Sequence, residues 1–219
     1  MNGHPPPRRI SDSAVRRLSH YLRALDALDA AGQETVASDE LAVRGGMTSA
    51  QVRKDLSLFG SFGKRGLGYP VPVLRAKVRA ILGLGRAWRV GLVGAGKLGA
   101  ALFHYEGFRR QGFDIVAVFD ADPAKIGRRW EGLTVADIAA LDQVVKTLRI
   151  ELGIVVTPAE SAQAVVDALA AAGVHAILNF APGRLTVPPD VTLRDVNLAI
   201  ELESLCFALT HRGRIITTR

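Results

Sequence analysis

The sequence feature that most constrains the fold is a run of glycines, Gly94-Ala95-Gly96-Lys97-Leu98-Gly99, placed directly after an apolar strand, Val90-Gly91-Leu92-Val93. The first glycine permits a sharp turn from strand to helix. The second lets a pyrophosphate approach the backbone, and the third lets the helix pack closely on the sheet. The start of the helix also offers free amides to phosphate oxygens. The pattern therefore predicts a dinucleotide-binding βαβ unit.

An acidic residue stands at the distance such a unit requires. Asp120 ends the second predicted strand, 21 residues after Gly99. A carboxylate there accepts hydrogen bonds from ribose hydroxyls and repels a 2′-phosphate, which favours NAD(H) over NADP(H). Arg128 and Arg129 follow, and they either weaken this preference or are simply solvated. A glycine-rich turn with an ordinary helix cap is the alternative interpretation of the whole motif.

Strands and helices alternate from Trp88 onward. We predict strands at 89–93, 115–119, 153–156 and 176–179, with weaker strands at 133–135 and 191–193. We predict helices at 97–110, 135–140, 160–172 and 197–210. This alternation is typical of a doubly wound parallel sheet. The later strand ends carry the residues expected to shape the rest of the cofactor pocket, which are Thr157, Pro158, Asn179, Phe180 and Ala181.

The N-terminal third has a different organisation. Apolar residues at helical spacing predict a first helix over Ser11 to Ala31, and they are Leu18, Tyr21, Leu22, Leu25 and Leu28. A short helix is predicted from Ser38 to Gly45-Gly46, a third from Thr48 to Phe59 and a fourth from Val73 to Leu82, with a glycine-rich hairpin at 62–69 before the last. Thr48 and Gln51 fit a capping box at the start of the third helix. This order predicts a winged helix-turn-helix.

Positive charge is concentrated in the same third. Residues 1–85 hold 13 Lys+Arg against 7 Asp+Glu, whereas residues 86–219 are nearly balanced at 15 against 14. An excess confined to one region is expected if only that region meets a polyanion, although a solubilising surface is the alternative. The candidate DNA contacts are Ser49, Gln51, Arg53 and Lys54 on the third helix, with Lys64 and Arg65 at the hairpin tip.

Composition limits the remaining possibilities. Hydrophobic residues make up 48% of the chain, which indicates a globular protein. The single cysteine excludes an internal disulfide, and the N-terminus lacks the apolar core of a signal peptide, so we expect a cytoplasmic protein without membrane contact. The five histidines form no metal-ligand pattern, and Cys206 on an apolar helix is typical of core packing. We identify no acid–base pair, and therefore predict no catalytic residue and no metal.

The chain resembles the Rex family of redox-sensing transcriptional repressors over about residues 10–210. The carriers of the resemblance are Gln51-Val52-Arg53-Lys54-Asp55-Leu56-Ser57, Phe59-Gly60, Arg65-Gly66-Leu67-Gly68-Tyr69, Val93-Gly94-Ala95-Gly96-Lys97-Leu98-Gly99, Phe119-Asp120-Ala121-Asp122-Pro123 and Ile177-Leu178-Asn179-Phe180-Ala181-Pro182. The resemblance implies a homodimer on operator DNA, with a C-terminal helix exchanged between subunits. It also implies that NAD+ is compatible with DNA binding and that NADH causes release.

The resemblance further implies a set of switch residues. Tyr105 matches a tyrosine that changes hydrogen-bond partner with cofactor state, and Arg23 matches an arginine that couples the DNA domain to the sensor. The usual third member is an aspartate before the C-terminal helix, where this chain has Asn197. An amide cannot form the charged pair with Arg23. Leu198 follows and is expected to enter a pocket of the partner.

These observations predict an α/β protein with three parts: a winged helix-turn-helix domain with its N-terminal arm (1–85), a Rossmann-like NAD(H)-binding domain with a doubly wound parallel sheet (86–196), and a C-terminal swapped helix with a basic tail (197–219). The predicted function is a redox-sensing repressor that senses the NADH/NAD+ ratio. One alternative is an NAD-dependent dehydrogenase with an appended helical domain. Another is a nucleotide-binding or CoA-binding-like module that only mediates protein contacts.

Overall fold

The computed structural model describes residues 10–60, 62 and 67–211. The chain forms two compact units, Met1–Arg86 and Ala87–Arg219. Each unit has its own hydrophobic core. The predicted division into three functional parts, with residues 197–219 as a separate part, stays a prediction.

In the residues that the structure describes, the first unit has four helices and one short antiparallel strand pair. The helices are α1 Asp12–Ala30, α2 Ser38–Gly45, α3 Ser49–Ser57 and α4 Val71–Ile81. The strands are β1 Thr35–Val36 and β2 Tyr69–Pro70, paired Thr35 to Pro70 and Val36 to Tyr69. The predicted hairpin between α3 and β2 includes Lys64 and Arg65, which lie outside the described residues.

Helix α1 organises the core of this unit. The Ser11 side chain accepts a hydrogen bond from the Ala14 amide and so fixes the start of the helix. All five apolar positions predicted from helical spacing are buried, and they are Leu18, Tyr21, Leu22, Leu25 and Leu28. Helix α4 starts two residues before the predicted Val73, because Pro72 needs no amide partner in a first turn.

The capping box predicted at the start of α3 is only half formed. Thr48 Oγ1 accepts from the Gln51 amide, as expected. The Gln51 side chain, however, donates to the Asp55 carboxylate instead of returning to Thr48. A charged acceptor one turn further along the helix forms the stronger hydrogen bond.

The second unit contains a seven-stranded sheet with the order β5-β6-β4-β3-β7-β8-β9. Its strands are β3 Trp88–Val93, β4 Phe113–Asp120, β5 Arg129–Trp130, β6 Leu133–Asp137, β7 Leu152–Val155, β8 Ala176–Asn179 and β9 Thr192–Asp195. Every pairing is parallel except that of β5 with β6. The six parallel strands have the order of a doubly wound dinucleotide-binding sheet.

The helices of this unit differ from the predicted ones at two places. They are α5 Lys97–Phe103, α6 Glu106–Arg110, α7 Leu141–Leu148, α8 Ala159–Ala171 and α9 Leu198–Thr210. The single helix predicted over 97–110 is two helices, because Tyr105 has an extended backbone. The helix predicted over 135–140 is wrong: Val135 lies in β6, and Asp137 caps a short 3-10 turn, Ile138–Ala140, ahead of α7. Helix α7 and strand β5 were not predicted.

Alternating side chains of the strands build two apolar layers. Val93, Phe119 and Val155 pack with residues of α7 and α8. Their neighbours Leu92, Val118 and Ile154 point to the other face and pack with residues such as Leu102 and Phe108. That second face also contains an apolar cavity of about 280 Å³, whose walls include Val90, Ile154 and Leu178.

In the single chain, none of the residues of helix α9 is buried. Its large apolar side chains are all more than half exposed: Leu198, Ile200, Leu202, Leu205, Phe207 and Leu209. Cys206 is exposed in the single chain as well, so its predicted core packing stays a prediction. Across the described part of the chain, no helix has both the length and the apolar character that crossing a membrane requires.

Candidate functional site

The glycine turn after β3 is formed as its sequence predicts. Gly94 has φ +113°, and a Cβ atom there would lie 2.8 Å from the Val156 carbonyl oxygen. A Cβ atom on Gly99 would lie 2.2 Å from the Gly94 carbonyl oxygen. Neither position therefore tolerates a side chain. A Cβ atom on Gly96 would meet nothing within 4 Å, so the middle glycine faces open space.

That open space is part of a cavity of about 620 Å³ at the carboxyl ends of β3, β4 and β7. Ligands of open α/β sheets bind at this end, where the strand order reverses. Five predicted cofactor residues surround it, namely Gly94, Gly96, Asp120, Thr157 and Pro158. The other residues of its wall were not predicted, and they are Val93, Ala121, Lys125, Ile138, Val156, Ser161, Ala164 and Val165.

Asp120 holds the turn after β4 together. Its Oδ2 atom accepts from the Ala95 amide at 2.9 Å and from Lys125 Nζ at 2.8 Å, and its Oδ1 atom accepts from the Asp122 amide at 2.9 Å. Burial alone would raise the pKa of this carboxyl, but the hydrogen bonds from Lys125, Asp122 and Ala95 outweigh burial and lower the pKa below its ordinary value. The group is therefore an anion at neutral pH.

Thr157 provides the clearest sign of a ligand. Its Oγ1 atom is buried and has no hydrogen-bond partner among the described residues. A buried hydroxyl without a partner is costly, and a polar ligand group in the adjoining cavity removes that cost. The unpartnered hydroxyl, the open space above Gly96 and the carboxylate of Asp120 together fit a dinucleotide.

The remaining predicted cofactor residues lie outside the cavity wall. Ala95 is buried, while Lys97 and Leu98 are exposed on α5. Asn179 is fully buried, and its side chain bonds the backbone of Ala181 and the carboxylate of Asp195. Phe180 packs against the second layer of the sheet. Cofactor contacts by these residues and by Ala181 stay predictions.

Lys125 is the charged residue that sequence reasoning missed. It lies in the turn after β4, where the Asp122 carbonyl accepts from its amide and the Asp122 side chain accepts from the Ala124 amide. The sequence signal is a cation five residues after the strand-end acid.

In the first unit, a buried carboxylate ties α3 to α1. Asp55 is 1% exposed and accepts from Arg17 Nε at 2.6 Å, Arg17 Nη2 at 2.8 Å, the Tyr21 hydroxyl at 2.9 Å and Gln51 Nε2 at 2.7 Å. Burial alone would raise the pKa of the Asp55 carboxyl, but the bonds from Arg17, Gln51 and Tyr21 lower it overall. We call these four residues the Asp55 cluster. Gln51, predicted as a base reader, has its side-chain amide engaged in this cluster.

The other predicted DNA contacts on α3 are more accessible. Arg53 and Lys54 are exposed, and Arg53 Nη1 donates to Ser38 Oγ at 3.0 Å. Ser49 is the first residue of the helix and is partly buried. The helix therefore presents two exposed cations, Arg53 at its middle and Lys54 in its last turn.

The predicted switch residues fall in both units. Arg23 is exposed on α1 in the first unit. In the second unit, Tyr105 is 56% exposed and its ring meets Phe108 edge to face at 5.1 Å. Asn197 caps α9, because its Oδ1 atom accepts from the Ala199 and Ile200 amides. Leu198 follows with 63% of its surface exposed.

Within the described residues, no group of His, Cys, Asp and Glu side chains is arranged to hold a metal ion. Two histidines of the second unit are paired with carboxylates, His104 with Glu131 and His175 with Asp190. Both histidine side chains are more than half exposed.

Comparison with known proteins agrees with both sites. A family model for a CoA binding domain matches residues 86–183, and a model for a putative DNA-binding protein N-terminus matches residues 9–57. The redox-sensing transcriptional repressor Rex of Desulfitobacterium hafniense is 47% identical over 93% of this chain and 97% of its own length. The Rex protein of Chloroflexus aurantiacus is 46% identical over 91% of this chain and 94% of its own length.

Solved structures give the same result. RSP, a Rex-family repressor, in complex with β-NAD+ and operator DNA has a TM-score of 0.89 at 35% identity, covering 93% of this chain and 94% of RSP. RSP in complex with β-NADH has a TM-score of 0.83 at 33% identity, covering 93% and 95%. The resemblance and the α/β fold expected from the sequence are therefore confirmed. The chain belongs to the Rex family of redox-sensing transcriptional repressors.

Proposed function

We propose that this protein represses transcription by binding operator DNA as a homodimer in the cytoplasm, and that it leaves the DNA when NADH replaces NAD+. The observation that carries the proposal is the cavity beside the glycine turn, whose wall includes Thr157 with its unpartnered hydroxyl, in a chain that also has a basic helix-turn-helix unit. The RSP structures with NAD+ and operator DNA, and with NADH, support the same pairing of ligands.

The residues of the cavity have distinct roles in this proposal. Gly94 permits the turn from strand to helix, Gly96 gives the pyrophosphate room beside the backbone, and Asp120 accepts from the adenosine ribose. Thr157 offers its hydroxyl further along the cavity. The bound cofactor supplies the signal, since reduction removes the positive charge of the nicotinamide ring. A ligand shifts a conformational equilibrium only by its differential affinity for the two conformations. The cavity must therefore bind NAD+ and NADH with different preferences for the two dimer geometries.

Helix α9 supports a homodimer. Six large apolar side chains on one helix are each more than 50% exposed, which is unusual for a helix that stays in water. The second unit also has an apolar cavity on one face of its sheet. We propose that α9 of each subunit packs against the partner, as the family resemblance implies.

A regulatory role agrees with the names of the Rex relatives, which are repressors. We propose that the chain has no catalytic residue of its own. A dehydrogenase needs a proton donor beside the nicotinamide, and the cavity wall has Asp120 and Lys125 engaged with each other.

The deciding experiment is a DNA-binding titration. A binding sequence is first selected from a random duplex library in the presence of NAD+. Binding to it is then measured at constant total dinucleotide while the NADH fraction rises. We expect the bound fraction to fall as NADH rises, and we expect Arg53→Ala and Lys54→Ala to weaken DNA binding without changing NADH affinity. Lys146→Ala, which removes an exposed cation of α7, is the matched control. DNA binding that is independent of the NADH fraction would exclude the proposed sensor.

A further inference from the structure

The cofactor cavity contains a cation that does not belong to the glycine motif. Lys125 Nζ lies 2.8 Å from Asp120 Oδ2 and 4.0 Å from Asp122 Oδ2. Both Lys125 and Asp120 line the cavity, and their side chains are 40% and 12% exposed. The ammonium group is therefore next to the carboxylate that is expected to accept the ribose hydroxyls.

The position of this ammonium group changes what Asp120 can do. An ionised carboxylate has about four acceptor sites, and three of those of Asp120 are already occupied by donors from Ala95, Asp122 and Lys125. The cation also cancels part of the negative charge that repels a 2′-phosphate. Repulsion between that carboxylate and NADPH is therefore weaker than the strand-end acid alone predicts.

We propose that Lys125 is a specificity-determining residue of the adenosine ribose subsite. The Asp120–Lys125 pair, rather than Asp120 alone, sets how strongly the protein distinguishes NADH from NADPH. From the sequence, Arg128 and Arg129 are the cations expected either to weaken the preference for NAD(H) over NADP(H) or to be simply solvated. Neither arginine contributes to the described cavity wall, whereas Lys125 does. The inference rests on the proposed binding of NAD(H) in this cavity.

A purely structural role for Lys125 is the competing explanation. The ammonium group bridges Asp120 and Asp122, so it also holds the turn between β4 and β5. Loss of a turn contact would weaken all dinucleotides alike, because the two cofactors share everything except the 2′-phosphate. Loss of a specificity residue would instead change the ratio of the two affinities.

The test is a double-mutant cycle measured by dinucleotide binding. NADH and NADPH are titrated by fluorescence and calorimetry into the unmodified protein, Lys125→Met, Asp120→Asn and the double variant. Lys146→Met serves as the control, because Lys146 also pairs with an aspartate but lies exposed on α7. Adenosine 2′,5′-bisphosphate and AMP, which differ only in the 2′-phosphate, repeat the comparison without the nicotinamide half.

For Lys125→Met we expect NADPH to bind about tenfold more weakly while NADH changes by less than about threefold, as close charge pairs couple by at least this much. For Asp120→Asn we expect NADPH to gain about tenfold on NADH, and we expect the double variant to lose that gain. An unchanged NADH/NADPH ratio in Lys125→Met, or an equal loss for both cofactors, would overturn the inference while leaving the proposed sensor intact. An unmodified protein that binds neither cofactor would refute the proposed function, and the inference would fall with it.

Discussion

At the scale of single residues, a substitution at Thr157 is expected to change cofactor affinity and the stability of the free protein in opposite directions. Its buried hydroxyl has no partner, so the isosteric Thr157→Val change removes an unsatisfied polar atom and leaves the packing unaltered. We expect the free energy of unfolding without cofactor to rise by about 1 kcal/mol. We expect NADH to bind several-fold more weakly, because the same hydroxyl is then missing from the cavity.

Denaturant unfolding without ligand and NADH titration measure the two effects in the same preparation. Thr157→Ser is the matched control, since it keeps the hydroxyl and loses only a methyl group. If Thr157→Val destabilised the free protein and left NADH affinity unchanged, the hydroxyl would have another partner and no role toward the cofactor.

Asp55 gives a prediction about pH. Because its folded-state pKa is lowered, its stabilising contribution is complete above the unfolded value of about 3.9 and is lost as pH falls below that value. Asp55→Asn removes the charge from a buried ion pair and leaves Arg17 unpaired. We expect a loss of about 3 kcal/mol at pH 7.

The expected pH behaviour distinguishes Asp55 from a surface acid. Denaturant unfolding of the variant and of the unmodified chain should differ most at pH 7 and converge as the pH falls below 4. Asp142→Asn, in an exposed pair on α7, should change stability little at any pH. A constant difference between the Asp55 variant and the unmodified chain from pH 7 to pH 3 would contradict the assigned ionisation.

At the scale of elements, the sequence predicted correctly those features that depend only on residues close together in the chain. The apolar spacing of α1 and the glycine turn before α5 are both local, and both are found. The helix predicted over 135–140 failed because Val135 is buried beside β4, a pairing between distant parts of the chain that overrides local propensity. The Asp55 cluster depends on hydrogen bonds from Arg17 and Tyr21, which lie 38 and 34 positions before Asp55 in the chain. No local sequence pattern indicates contacts over such distances.

The cofactor site shows the same division. Gly94, Gly96 and Asp120 follow from a linear motif, and the structure places them around one cavity. Ile138 and Ser161 reach that cavity from separate crossovers of the sheet, so only the fold brings them together. Asn179 is the last residue of β8 and, like Asp120, stands at a strand end, but its amide holds the backbone at Ala181.

Helix α9 is the element whose surface most requires a partner. We expect truncation before Asn197 to give monomers, and Leu202→Glu with Leu205→Glu to do the same in the full-length chain, because both leucines are more than 60% exposed. Light scattering during size exclusion measures the mass. Glu203→Gln on the same helix is the control. A Leu202→Glu/Leu205→Glu protein that remains dimeric would remove α9 from the interface.

At the scale of the whole molecule, the response to NADH requires that the sensor and the DNA-binding unit change together. The family resemblance assigns this coupling to Arg23 and to an acid at position 197, where this chain has an amide. The structure gives Asn197 a local function as well, because it caps α9. A useful variant must therefore change the charge at this position and preserve the cap.

Asn197→Asp meets both requirements, since aspartate and asparagine cap helices about equally well. We expect the new carboxylate to form a charge-assisted bond with Arg23, about twice as strong as a neutral one, and so to shift the NADH midpoint for operator release. Asn197→Ser keeps the cap without a charge and should leave the midpoint near that of the unmodified protein. The measurement is the operator-binding titration at constant total dinucleotide, with NADH affinity determined separately. If the aspartate and serine variants release DNA at the same NADH fraction, position 197 acts only as a helix cap, and the coupling between the two units runs through other residues.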